Sequence, residues 1–170
     1  FTCRIPVDDG NINRTIGPIS KDKICGGFYP DWESRPSIPQ IHPNYNLIYL
    51  FAARQNGATN GSISFTAPYE EYYEDIQLER KNNNRTFILS VGGSGHAFVI
   101  PNRAFSESLL ESVLSMYDEV GGFDGLDWGN YGDGVEPSTE EMIWISSELK
   151  RLHPGFIISS SSRPYSHAGK

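Results

Sequence analysis

The stretch Phe123-Asp124-Gly125-Leu126-Asp127 ends a short β-rich run, Gly122 to Asp127, and its place between two helical patterns decides the fold. Before it, Phe105, Leu109, Val113, Met116, Tyr117 and Val120 recur at helical spacing until Gly121-Gly122 stops them. After it, Ser138 and Glu141 form an S-x-x-E capping box, in which the hydroxyl caps the helix start and Glu141 reaches back. The helix they open carries Met142, Ile145, Leu149 and Leu152 inward and ends at His153-Pro154-Gly155. Four more runs resemble Gly122 to Asp127: Ile24 to Tyr29, Leu47 to Ala53, Thr86 to Val91 and Phe156 to Ser160. Each is bounded by Gly, Pro, Asn or Asp and reads as a buried strand. A third helix is expected over Pro68 to Lys81, with Tyr69, Tyr72, Tyr73 and Ile76 as a packing stripe rather than a ligand box.

Strands alternating with helices predict an α/β chain of parallel βαβ units with right-handed crossovers. Two architectures satisfy that pattern, an open doubly wound sheet and a (β/α) barrel. A closed eight-unit barrel takes about 250 residues, so at 170 residues length by itself favours the open sheet. Residues 1–22, with Asp8-Asp9-Gly10 and Gly17-Pro18, contain turn punctuation without periodicity and read as an arm or linker, leaving 23–170 as the domain.

Composition removes several functions. No apolar run approaches the roughly 20 residues of a membrane span. A net charge of -7 makes nucleic acid a poor partner. Cys3 and Cys25 lack zinc-site spacing; a bridge from the arm to the first strand and two unpaired thiols both fit the sequence. Sequons at Asn13-Arg14-Thr15, Asn60-Gly61-Ser62 and Asn84-Arg85-Thr86 suit a secreted glycoprotein.

In α/β folds, function gathers where parallel strands end. The ends here read Phe28-Tyr29-Pro30-Asp31-Trp32, Phe51-Ala52-Ala53, Ser90-Val91-Gly92-Gly93, Asp124-Gly125-Leu126-Asp127 and Ser159-Ser160-Ser161-Ser162. Aromatic rings, small residues and carboxylates together suit a neutral sugar ring, which stacks on one face and hydrogen-bonds at its edge. Gly92-Gly93-Ser94-Gly95-His96 fails as a dinucleotide fingerprint, since Phe98 replaces the third glycine; it reads as a turn needing positive φ. Asp127 to Glu136 lacks calcium-loop spacing, and the four histidines lie on separate loops, so neither a metal nor a cofactor is expected.

Taken in order, Gly27-Phe28-Tyr29-Pro30-Asp31-Trp32, Tyr45 to Ala52, the S-x-G-G at Ser90 to Gly93 and Phe123 to Asp127 resemble glycoside hydrolase family 18, the chitinases and chitinase-like lectins. The resemblance covers about Lys23 to the C-terminus and implies a TIM barrel of which this chain supplies strands one to five. The family's later signatures would then fall beyond Lys170, in a missing segment or another chain.

The departure from the family pattern is as informative as the match. In the family's D-G-x-D-x-D-x-E the last Asp orients the substrate acetamide and the Glu protonates the leaving oxygen, a substrate-assisted exception to the two-carboxylate scheme. Asp124 and Asp127 match, but Gly129 stands at the last Asp and Tyr131 at the Glu. No catalytic site is intact. The resemblance implies a catalytically impaired domain recognising N-acetylglucosamine-containing glycans through Tyr29, Trp32, Phe51, Ser90, Gly92, Gly93, Asp127 and Tyr131. The rival expectations are a scaffold domain of a secreted or virion tail assembly, and an active hydrolase using Asp133 or Glu136 as a displaced carboxylate.

Overall fold

The structure, a computed structural model, describes residues 23–32, 34, 36–57, 59–93, 95–129 and 137–160. The expected arm at 1–22, with Cys3 and Asn13, lies outside the described residues, as do Tyr131, Asp133 and Glu136. Among the described residues ten elements follow in order: β1 (Gly26–Pro30), a 3-10 turn (Ile38–Gln40), β2 (Leu47–Gln55), β3 (Ile63–Ser64), α1 (Tyr72–Asn83), β4 (Thr86–Val91), α2 (Arg103–Val120), β5 (Gly125–Trp128), α3 (Thr139–Leu152) and β6 (Ile157–Ser160). All five expected strands and all three helices are present, within a few residues of the predicted ends. The pair β3 carries too few residues to show a period, and it turns back antiparallel on Arg54 and Gln55 of β2.

Strand order overrules length. The parallel strands lie side by side in chain order, β1-β2-β4-β5-β6. A doubly wound sheet reverses its order at a switch point, whereas a barrel adds each strand on the same side of the last. The described sheet never reverses, so this is a barrel-type winding, and right-handed crossovers put all three helices on one face.

Strand alternation then sorts residues into two faces. Tyr29, Leu50, Leu89 and Leu126 point to the helices and join Tyr72, Ile76, Leu109, Val113, Ile145 and Leu149 in one core. Tyr72 is fully buried among Tyr29, Phe65, Tyr69 and Tyr73, and burial drives its phenol far above the ordinary range, so the aromatic stripe of α1 is packing. Tyr69 is held through its hydroxyl, which accepts from Ile38 N–H at 2.8 Å and donates to Asp75 at 2.9 Å.

The opposite face forms rows across the sheet. Phe28, Tyr49, Ile88, Gly125 and Ile157 are in register in one row, and Pro30, Phe51, Ser90, Asp127 and Ser159 in the next toward the strand ends. The first row is apolar. The second places a carboxylate between two hydroxyls.

Helix ends follow local chemistry with one exchange. Ser138 caps α3 by accepting from Glu141 N–H at 3.4 Å, but the Glu141 side chain does not close the box. It turns to Arg103 at 2.9 Å and Ser106 at 2.6 Å on α2, and these bonds hold its carboxyl below the usual range. A charge-assisted bond that ties two helices together outcompetes a local amide.

At the other end of α3, the His153 ring packs tilted against Tyr117, with centroids 4.2 Å apart. Burial holds its imidazole below the ordinary 6.5, against the opposing pull of Asp118. The unfolded chain therefore takes up this proton first as pH falls, so stability is full above about pH 6.5 and declines below it. Thermal melts of His153→Phe, which keeps the ring without the titration, are expected to show a flatter Tm profile between pH 7 and 5. An unchanged slope would remove His153 from that dependence.

Candidate glycan-binding strand ends

Asp127 sits at the centre of the polar row, only 3 % exposed. Ser90 on β4 donates to its Oδ2 at 2.9 Å and Ser159 on β6 to its Oδ1 at 2.6 Å. Both oxygens are thus occupied by the flanking strands. Ser159 was visible in the sequence only as one of four consecutive serines; the register Asp127 to Ser159 is what selects it.

Asp124, the other carboxylate of the motif, lies at the opposite end of the strand. Its Oδ1 receives Arg80 Nη2 at 2.8 Å, and its Oδ2 receives Arg80 Nε at 3.3 Å and Phe87 N–H at 2.9 Å. This buried pair ties α1 to the starts of β4 and β5, away from the strand ends that form the candidate site. The sequence signal for its partner was weak: an Arg in the last turn of a helix usually faces solvent.

The aromatic groups converge from β1 and β2. Trp32 is 63 % exposed and meets the Phe51 ring edge-on at 6.0 Å; Phe28 stacks on Tyr49 at 4.8 Å and meets Phe51 at 5.6 Å. Tyr29, expected beside them, faces the helices instead and donates its hydroxyl to Pro36 O at 2.8 Å. Alternation separates it from Phe28 and Trp32.

The two glycines of the S-x-G-G segment form the turn the sequence predicted, with φ of 84° and 128° and His96 N–H closing on Gly93 O at 3.0 Å. At Gly93 a side chain would also drive into the Phe51 ring. Gly93→Ala is therefore expected to cost about 1 to 3 kcal/mol through both the positive φ and the overpacked ring, read by urea titration. A loss below the error of that titration would show that Phe51 yields freely.

Gly129 follows β5 on the same side as Asp127. A Cβ there would lie 3.0 Å from Ser90 Oγ and 3.1 Å from Val91 O, a tight approach to β4 that a larger residue could take only if these neighbours gave way by a few tenths of an ångström. Cys25 is exposed at the start of β1, and Asn60 and Asn84 are exposed too, in the β2–β3 turn and at the left-handed end of α1.

No family model and no curated protein matches this sequence. Solved structures do. A protein named chitinase A from Streptomyces coelicolor superposes with a TM-score of 0.67 at 20 % identity, over 80 % of this chain and 48 % of its own. A family GH18 chitinase from Chromobacterium violaceum gives 0.67 at 20 % over 81 % and 40 %. The fold is that of the family 18 chitinases. The chitinase domain of the spore coat protein CotE from Clostridium difficile agrees, with a TM-score of 0.59 at 12 % identity over 94 % of this chain and 46 % of its own. The chain spans half or less of the length of these chitinase structures. Its sequential sheet is thus a run of barrel units of the family 18 type, with the strand-end row in the position that barrels use for ligands.

Proposed function

We propose that this chain is a chitinase-like domain that recognises glycans containing N-acetylglucosamine and does not hydrolyse them. The observation that carries the reading is Trp32, an indole left largely open to solvent at the end of β1 and braced edge-on by Phe51. Such a ring can cover the apolar face of a pyranose, while small residues at Gly92 and Gly93 leave room for the sugar edge. The absence of hydrolysis rests on Gly129 and Tyr131 at the acetamide-orienting and acid positions of the family motif. A tyrosine, with a pKa near 10, is a poor acid for a departing sugar. An extracellular or virion-surface setting, with sequons at Asn13, Asn60 and Asn84, belongs to the same proposal, as does a further segment or chain completing the barrel.

Titration calorimetry with chito-oligosaccharides tests the reading. Dissociation constants between millimolar and micromolar are expected, since one or two aromatic anchors and a few hydrogen bonds contribute about 1 kcal/mol each. Trp32→Ala is expected to weaken binding by about tenfold or more, with Tm nearly unchanged because the ring is exposed. The scaffold reading is favoured by a different feature: Phe28, 52 % exposed on the sheet face away from the helices, offers apolar surface to a protein neighbour. Absence of sugar binding in the parent, with loss of assembly in Phe28→Ser, would favour that reading instead.

A further inference from the structure

Trp32 cannot fix its own direction. More than half of its surface is free, and its described ring neighbour is the edge of Phe51. The residue before it is held tightly. Asp31 N–H donates to Phe51 O at 2.6 Å, and the Asp31 carboxylate receives both terminal nitrogens of Arg54, Nη2 reaching Oδ1 at 2.6 Å and Nη1 reaching Oδ2. The carboxylate is buried, with 5 % of its side chain exposed, while the guanidinium is partly open at 32 %. One main-chain bond and one two-pronged ion pair therefore clamp the chain leaving β1 onto β2, immediately before the indole.

A planar guanidinium suits this task because its fork fixes the plane of the carboxylate as well as its distance. The backbone bond alone leaves rotation about the Asp31 N–Cα bond free, which would redirect the chain toward the next residue. The fork anchors the side chain and removes that rotation, so the chain leaves Asp31 in a fixed direction toward Trp32, which meets Phe51. We propose that Arg54 is a positioning residue for the Trp32 platform, which, on the reading of Trp32 as the sugar-stacking surface, makes it a determinant of glycan affinity without touching the glycan.

The test uses the whole chain with 5-fluorotryptophan in place of its three tryptophans. The Trp32 resonance is assigned by its loss in Trp32→Phe. In Arg54→Gln that resonance is expected to shift and broaden in the absence of any ligand, the other two to stay in place, and chitotriose affinity to fall about tenfold, on the scale of one lost charge-assisted pair. Arg54→Lys, which keeps the charge but replaces the fork with a point donor, is expected to fall between the parent and Arg54→Gln, and it decides the matter if Arg54→Gln does not fold. An unmoved Trp32 resonance in the folded variant overturns the proposal, whatever happens to Tm, because a purely structural pair would change stability alone. If the Trp32 resonance responds to Arg54 but the parent binds no chitotriose, the positioning role stands and the glycan reading falls.

Discussion

Asp124→Ala is expected to destabilise this protein by about 3 to 5 kcal/mol, the scale of breaking a buried ion pair by removing one partner. The replacement leaves the Arg80 guanidinium, which also donates to Gly122 O at 3.0 Å, buried without its counter-charge. It also strands Phe87 N–H, which gives its hydrogen to Asp124 at 2.9 Å. A marginally stable domain holds about 5 to 15 kcal/mol in total, so the variant is expected to unfold at much lower urea or to be recovered only as aggregate. Asp124→Asn keeps the shape and an acceptor but not the charge, and is expected to lie between the two. The double replacement Arg80→Met with Asp124→Leu is expected to regain much of the loss, since an apolar pair of similar volume removes the stranded charge. Denaturant titrations of the three variants decide it. Equal stability of Asp124→Ala and the parent would mean that water reaches this end of the sheet and solvates Arg80.

Chito-oligosaccharides incubated with the chain are expected to yield no reducing sugar above a buffer blank at any pH from mild acid to neutrality. Enzymes of ordinary competence accelerate their reactions at least about a millionfold, so even a badly impaired hydrolase would stand clear of the blank. Turnover abolished by Glu136→Gln would overturn the proposal and establish a displaced carboxylate. Restoring the family pattern through Gly129→Asp with Tyr131→Glu is also expected to give an inactive protein. A side chain at 129 needs space now held by Ser90 Oγ, 3.0 Å from where its Cβ would stand. If Ser90 rotates away, Asp127 loses one of the two hydroxyls that hold it. Close packing of β4 against the end of β5 is therefore expected to oppose the two replacements. Adding Ser90→Ala to the double replacement relieves that crowding. Activity appearing only in the triple variant would show that packing at Ser90 blocks reversal of the two motif changes.

The sequence by itself determined the elements and which strand ends form the candidate site. Periods of 3.6 and 2 are written in neighbouring residues, so α2, α3 and the five parallel strands were legible from Phe105 to Val120, Met142 to Leu152 and the short apolar runs. The ordered motifs Ser90 to Gly93 and Phe123 to Asp127 added the family resemblance that the superposed chitinases bear out as fold. The sheet winding was legible only through that resemblance, because chain length constrains how many units fit and says nothing about the side on which each new strand is added. Nor were the partners of the two motif carboxylates. Asp124 finds Arg80 across 44 residues and Asp127 finds Ser159 across 32, and such pairs exist only once crossovers have set the register. The same register turned Tyr29 into core and left Trp32 outside it, although the two stand three residues apart. Local sequence encodes which side chains alternate; only the closed packing of helices on one face decides which side of the alternation is buried.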